Sequence, residues 1–208
     1  MFKNALASLV LVCATSATAQ TSLFEVQAQV SDGSAPYTFV AWGDREPGSM
    51  TVYGVQVLSP EGKEQVLQEF ESLLPANSEA DALIVEDVNF DGYADIRVME
   101  YLPGGSANIP FFYWLYQPAT EQFIPAPAFA GVLSPEIDSD NRRLVSRQKL
   151  SANEYVTEFY SPQGEEPNLF RKEVRTYAAD GSSKLHVFTV EAGKPPQLVE
   201  SRQLGPGE

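Results

Sequence analysis

The chain has 208 residues, one cysteine, one histidine and a net charge of −14. A single histidine excludes a histidine-rich metal centre, and so negative a charge opposes binding to nucleic acid or to anionic membranes. We therefore expect one domain of ordinary size whose charge attracts cationic partners.

Residues 1–19 have the pattern of a secretory signal peptide. A lysine near the start is followed by an apolar run over residues 5–14 and by a small-residue cleavage site, Ala-Thr-Ala, at residues 17–19. We expect the remaining domain, residues 20–208, to be periplasmic or secreted and to have no membrane span. Because Cys13 lies in the leader, the mature domain contains no cysteine, and it needs a sizeable core, a bound ion or both.

Short runs that alternate apolar and polar residues predict β-strands along most of the mature chain. The predicted strands cover residues 24–30, 52–58, 96–101, 110–117, 143–148, 154–160, 170–177, 184–190 and 197–203. Residues 64–74 fit a strand in their first half, which we favour, or a short helix. The pair Asp180-Gly181 predicts a hairpin turn. We expect an all-β domain with a small, β-propeller-like arrangement of antiparallel hairpins; a barrel and a sandwich are the alternatives.

An acidic loop between two of these strands has the spacing of a calcium site. Asp87, Asn89 and Asp91 stand at alternate positions, Tyr93 offers its backbone carbonyl, and Asp95 adds a further carboxylate. Gly92 allows the sharp turn that such a loop needs. Calcium takes six to eight oxygen ligands, which is the donor type that this stretch concentrates. We therefore expect a structural calcium ion; the alternative is an Asx-rich turn without an ion.

The same loop differs from a helix-loop-helix calcium site. Val98 occupies the twelfth position, where that motif has a bidentate glutamate, and strands rather than amphipathic helices flank the loop. The pattern D-x-N-x-D-G-x-x-D resembles the calcium loops of β-propeller and FG-GAP-type repeats.

Residues 87–123 carry a resemblance to a known family. The stretch DVNFDGYADIRVMEYLPGGSANIPFFYWLYQPATEQF joins the acidic loop to a strand, a Gly/Pro-rich loop, the aromatic strand Y-W-L-Y and the segment P-A-T-x-x-F. It resembles periplasmic proteins related to the invertebrate-type lysozyme inhibitors and to the immunity proteins of bacteria-killing type IV secretion systems. Residues 137–160 follow the same order of features more loosely.

This resemblance implies a binding protein without catalysis. Family members block peptidoglycan-cleaving enzymes by inserting an exposed loop that carries a serine and a tyrosine. Ser151 and Tyr155 are the positional match here, and Gln148-Lys149-Leu150 replaces the glycines that usually precede them. The implied partner is a cationic peptidoglycan hydrolase, either a lysozyme-like effector or a host lysozyme. For Tyr155 the alternative is a strand residue in the core, and residues 103–108 form a second candidate loop.

A second class of function stays open from the residues alone. Calcium loops of this kind also stabilise structural or adhesive β-modules that have no hydrolase target, and a fold does not specify a function. Calcium-dependent stability without a hydrolase complex would distinguish this class. Because the sequence contains no recognisable catalytic constellation, we expect that the protein is not an enzyme.

Overall fold

The computed structural model describes residues 21–102 and 108–207. The signal peptide predicted over residues 1–19 and most of the candidate loop at residues 103–108 therefore lie outside the described residues. The strands are β1 Ser22–Ala28, β2 Tyr37–Glu46, β3 Ser49–Leu58, β4 Glu64–Leu67, β5 Ser72–Pro75, β6 Leu83–Glu86, β7 Asp95–Met99, β8 Phe111–Gln117, β9 Gln122–Pro125, β10 Pro135–Asp138, β11 Arg143–Lys149, β12 Glu154–Gln163, β13 Glu166–Tyr177, β14 Ser183–Thr189 and β15 Gln197–Leu204. A one-turn helix, α1, spans Glu79–Ala82, and a 3-10 helix spans Pro127–Gly131.

These strands form three antiparallel sheets, which confirms the all-β prediction. The N-terminal sheet has the order β1-β2-β3-β4, with β5 also paired to β3. The middle sheet has the order β6-β7-β8-β9, and the C-terminal sheet has the order β10-β11-β12-β13-β14-β15. Apart from β5, which pairs with β3 and not with β4, consecutive strands are neighbours in each sheet, as hairpin connections produce. Among the described residues the pairing shows neither a closed barrel nor a propeller, so the propeller-like arrangement stays a prediction.

The two central strands of the middle sheet, β7 and β8, are buried on both faces. Every residue of β7 is buried, although Asp95 and Arg97 are charged. One face contributes Met99, Phe111 and other residues to a core that contains side chains from all three sheets and from the 3-10 helix. The opposite face contributes Ile96 and other residues to a second core, shared with the N-terminal sheet. Because successive side chains of a strand point to opposite faces, β7 and β8 contribute residues to both cores.

The structure differs from the sequence-based expectation at β2, β9 and β10, which the alternation did not predict, and it decides between the alternatives for residues 64–74. Residues 64–67 form β4, which confirms the strand favoured for the first half of this segment, and β5 follows at residues 72–75, so the helical alternative is wrong. The chain changes direction between them at Glu69, whose φ of +71° lies in the left-handed region. The sequence-based expectation also missed β2, in which every second residue from Tyr37 to Gly43 is buried.

The hairpin predicted at Asp180-Gly181 is confirmed. Gly181 has a φ of +84°, and the backbone N–H of Ala178 donates to the carbonyl of Ser182 at 2.8 Å. Asp180 accepts hydrogen bonds from the backbone N–H and the hydroxyl of Ser182, at 2.9 and 2.7 Å. These bonds stabilise the charged carboxylate and lower the pKa of Asp180.

Candidate functional site

The acidic loop connects β6 to β7 and is held by its own side chains. Asp87 accepts hydrogen bonds from the backbone N–H groups of Asp91 and Gly92, at 3.1 and 2.9 Å. Asn89 Oδ1 also accepts from the N–H of Asp91, and Asp91 Oδ1 accepts from the N–H of Tyr93 at 2.9 Å. The φ of Gly92 is +95°, which agrees with the sharp turn predicted there.

Asp95 ends the loop in a buried position. One carboxylate oxygen accepts from the backbone N–H of Val88 at 3.0 Å, and the other accepts from that of Tyr116 on β8 at 2.9 Å. Burial first, and then the charges of Asp91 and Asp87, raise the pKa of Asp95 to about 7, against the opposing effect of these two N–H groups. Asp95 therefore fastens the start of the loop to the middle sheet.

The donor set of this loop suits a hard cation, because carboxylate, amide and carbonyl oxygens are what calcium prefers. Calcium binding also requires the side chains to point toward one centre. Among residues 21–102 and 108–207, no group of three or more His, Cys, Asp or Glu side chains is arranged to hold a metal ion. The carboxylates of Asp87, Asp91 and Asp95 accept backbone N–H groups instead. The donor types of the loop thus fit calcium. Binding requires the side chains of Asp87, Asp91 and Asp95 to converge, and the calcium ion stays a prediction.

The loop also contacts the C-terminal sheet. Arg142, in the turn between β10 and β11, donates a hydrogen bond to the carbonyl of Phe90 and lies 5.7 Å from the centre of its ring. The ring of Tyr93 packs 5.6 Å from that of Tyr116. The acidic loop is therefore fixed to two of the three sheets.

Ser151 and Tyr155 lie on the hairpin that joins β11 to β12. Ser151 is exposed, and its hydroxyl donates to the side-chain carbonyl of Asn153 at 3.0 Å. Asn153 in turn binds β13: its backbone carbonyl accepts from the N–H of Tyr177 at 2.8 Å, and its side-chain amide donates to the carbonyl of Tyr177 at 3.3 Å. Tyr155 is 39% exposed, so it is not the core residue that was its alternative assignment.

Three further residues of this surface have no sequence signal. Tyr177 is 37% exposed, and its ring meets that of Tyr155 edge to face at 5.7 Å. Lys149 Nζ lies 5.7 Å from the centre of the Tyr155 ring, and Arg175 Cζ lies 4.9 Å from that of Tyr177. Strand pairing places them together, because Tyr155 is opposite both Lys149 and Arg175. Only the register, which sequence periodicity does not reveal, could have identified them.

We call Lys149, Tyr155, Arg175 and Tyr177 the tyrosine–cation surface. Neither Lys149 nor Arg175 makes an ion pair with any residue of the described chain, although the protein has twice as many acidic as basic residues, 28 against 14. The backbone of Lys149 is held by Asn108, whose side chain accepts from its N–H and donates to its carbonyl, both at 2.8 Å. The surface is therefore rigid, aromatic and locally cationic.

No family model matches the chain, and no curated protein matches it. A solved structure, described as that of a Xanthomonas type IV secretion system related protein, is similar with a TM-score of 0.65. The similarity covers 88% of this chain and 97% of that chain at 17% sequence identity. Identity at this level shows a shared fold and does not transfer binding residues. In the part of the chain that the structure describes, no helix has the length and apolarity to cross a bilayer.

Proposed function

We propose that this chain is a calcium-binding, non-catalytic inhibitor or immunity protein that blocks a lysozyme-like peptidoglycan hydrolase in the periplasm. The observation that carries the proposal is the tyrosine–cation surface on a braced hairpin. Tyrosine supplies a rigid aromatic body with one polar end, which makes it a good anchor at a binding surface. The protein of similar fold is described as related to a type IV secretion system. We propose the same setting for this chain.

The chemistry of the target supports this assignment. The cleft of a sugar-cleaving hydrolase contains a carboxylic acid and a second carboxylate on either side of the scissile bond. The hydroxyls of Tyr155 and Ser151 can hydrogen-bond such groups, and Lys149 and Arg175 offer cations that form no ion pair with a carboxylate of the described residues. At long range the net charge of −14 of the whole chain attracts the cationic exterior of such a hydrolase.

An inhibition assay tests the proposal. Purified protein is added to a panel of lysozyme-like hydrolases, including the hydrolases encoded next to its own gene, and the clearing of a peptidoglycan suspension is followed. We expect stoichiometric inhibition of at least one hydrolase, with a complex that co-elutes on size exclusion. Unchanged activity and no complex across the panel would refute the proposal.

A structural, calcium-stabilised module is the second candidate function. It is favoured by the fixing of the acidic loop to two sheets through Asp95 and Arg142. It predicts that calcium raises the melting temperature while no hydrolase is bound. The two candidates are therefore separated by the same panel, repeated with calcium and with a chelator.

A further inference from the structure

A cavity of about 410 Å³ lies against the middle sheet, on the face that belongs to the three-sheet core. Its volume is within the range of small-molecule sites, about 300–1,000 Å³. Apolar side chains form most of the wall, and they include Ile84, Met99, Leu102, Ile109 and Phe111. Asp81, on α1, contributes a carboxylate to the lining. None of these residues belongs to the tyrosine–cation surface or to the acidic loop.

Among the described residues of this wall, only Arg97 is a cation. The residue is 8% exposed, and its guanidinium lies 4.5 Å from the centre of the Phe111 ring. Its Nε forms a close ion pair with Glu86 Oε1. No other described side chain or carbonyl accepts a hydrogen bond from the guanidinium. Of the five N–H donors of this almost buried group, the one on Nε lies against Glu86, and the four on the two Nη atoms have no acceptor among the described residues.

An arginine this deeply buried usually has acceptors for its N–H groups, because buried polar atoms in folded proteins are nearly always hydrogen-bonded. Glu86 compensates the charge of Arg97 and contacts its Nε, but it leaves the two Nη groups without an acceptor. Glu86 also lies outside the lining of the cavity, whereas Arg97 belongs to it. The unused donors are therefore available to an acceptor that enters the cavity. The fork of a guanidinium matches a carboxylate, which it binds through two parallel hydrogen bonds.

We propose that this cavity binds a small carboxylate with an unbranched apolar chain, of the medium-chain fatty acid class. The carboxylate accepts hydrogen bonds from Arg97, and the chain lies against Ile84, Met99 and Phe111. Because Glu86 already neutralises Arg97, directional hydrogen bonds hold the head group more than net charge does. Asp81 repels the anion and weakens its binding. This site is independent of the hydrolase-binding function, and neither requires the other.

The test uses decanoate as the probe, below its micellar concentration and in calcium-free buffer, with decanol as the matched uncharged control. We expect saturable binding of decanoate at one site by isothermal titration calorimetry, and binding of decanol weaker by about tenfold or more, a factor that corresponds to about 1.4 kcal/mol. Equal binding of the two probes, or no binding of decanoate, would overturn the proposal.

Variants assign the binding to this cavity. Arg97→Lys keeps the charge but removes the planar fork, so we expect decanoate affinity to fall by about tenfold. Asp81→Asn removes the repelling carboxylate and should tighten binding. Arg147→Lys, on an exposed arginine paired with Glu136, is the matched control and should leave the affinity unchanged.

Folding is checked by thermal unfolding of each variant.

Leu102 is 37% exposed in the cavity wall, so Leu102→Asp offers a second test that does not disturb the buried ion pair. It should weaken decanoate binding by placing a further negative charge beside the ligand. If Arg97→Lys and Leu102→Asp both bind decanoate as the unaltered protein does, the ligand is elsewhere and the proposal is wrong.

Discussion

Replacing Tyr155 by alanine tests the binding surface most directly. The side chain is 39% exposed, and the rest is covered by Tyr177 and by the strands on either side. A tyrosine buries about 150–250 Å² when it is fully covered, so a partner that covers the exposed fraction removes roughly 80 Å² from water. At about 25 cal/mol per Å², that area contributes about 2 kcal/mol, or about 30-fold in affinity.

Tyr155→Ala should therefore raise the inhibition constant against the target hydrolase by about 30-fold or more, since the hydroxyl is lost together with the ring. Tyr155→Phe isolates the hydroxyl. A hydrogen bond to an ionised carboxylate contributes about 1.5–3 kcal/mol, so we expect a measurable loss for this variant as well.

The assay is the dose dependence of inhibition, with thermal unfolding of each variant as the check on folding. Phe170→Ala is the matched control, because Phe170 is 38% exposed on the same sheet and packs against Phe159 rather than the hairpin. It should change the inhibition free energy by no more than about 0.5 kcal/mol. A folded Tyr155→Ala protein that inhibits as well as the unaltered protein would refute the assignment of this surface.

Three further predictions concern the acidic loop and the fold. Calcium at 100 times its dissociation constant should stabilise the protein by about 2.7 kcal/mol, and Asp91→Ala should abolish this effect and the calorimetric binding signal, whereas Asp180→Ala should still bind calcium. Gly43→Ala should destabilise the fold by roughly 3 kcal/mol in urea unfolding, because its Cβ would lie 1.9 Å from a backbone oxygen of β3. Gly131→Ala, with nothing within 4 Å of its Cβ, should be neutral, and equal effects would contradict the packing argument. Hydrogen bonds from the side chains of Asn141, the larger effect, and Arg143 lower the pKa of Asp138. Its stabilising contribution is therefore present above the unfolded pKa near 3.8 and is lost as the pH falls through the lower folded value. Asp138→Asn should flatten the acid limb of the stability curve, and an unchanged limb would contradict this.

The sequence predicted the strands in which alternation is clean and the turns are chemically marked. Residues 184–190 and the pair Asp180-Gly181 are such cases, and the structure has β14 and its hairpin there. β2 was missed because it ends in Asp-Arg-Glu and has alanine and glycine among its inward-facing residues, which lowers its strand propensity. Its burial comes from the tertiary structure.

In the candidate sites, too, the features that are local in sequence could be predicted and those that depend on tertiary packing could not. The loop at residues 87–95 could be identified because its chemistry is local in sequence. The role of Asp95 could not, since its hydrogen bond to Tyr116 joins positions 21 residues apart. Arg97 looked like an ordinary residue of a strand. Its burial beside Phe111 depends on how the sheets pack, which periodicity does not encode.

The complete burial of β7 has a consequence for hydrogen exchange. Amides of a strand enclosed on both faces become accessible only when the whole domain unfolds, whereas β15, exposed along almost its entire length, exchanges through small local openings. Protection should therefore decrease from the middle sheet toward the C-terminal edge. A partner bound at the hairpin would slow exchange in β11, β12 and β13. It would leave β7 slowest of all, at the limit that global unfolding sets.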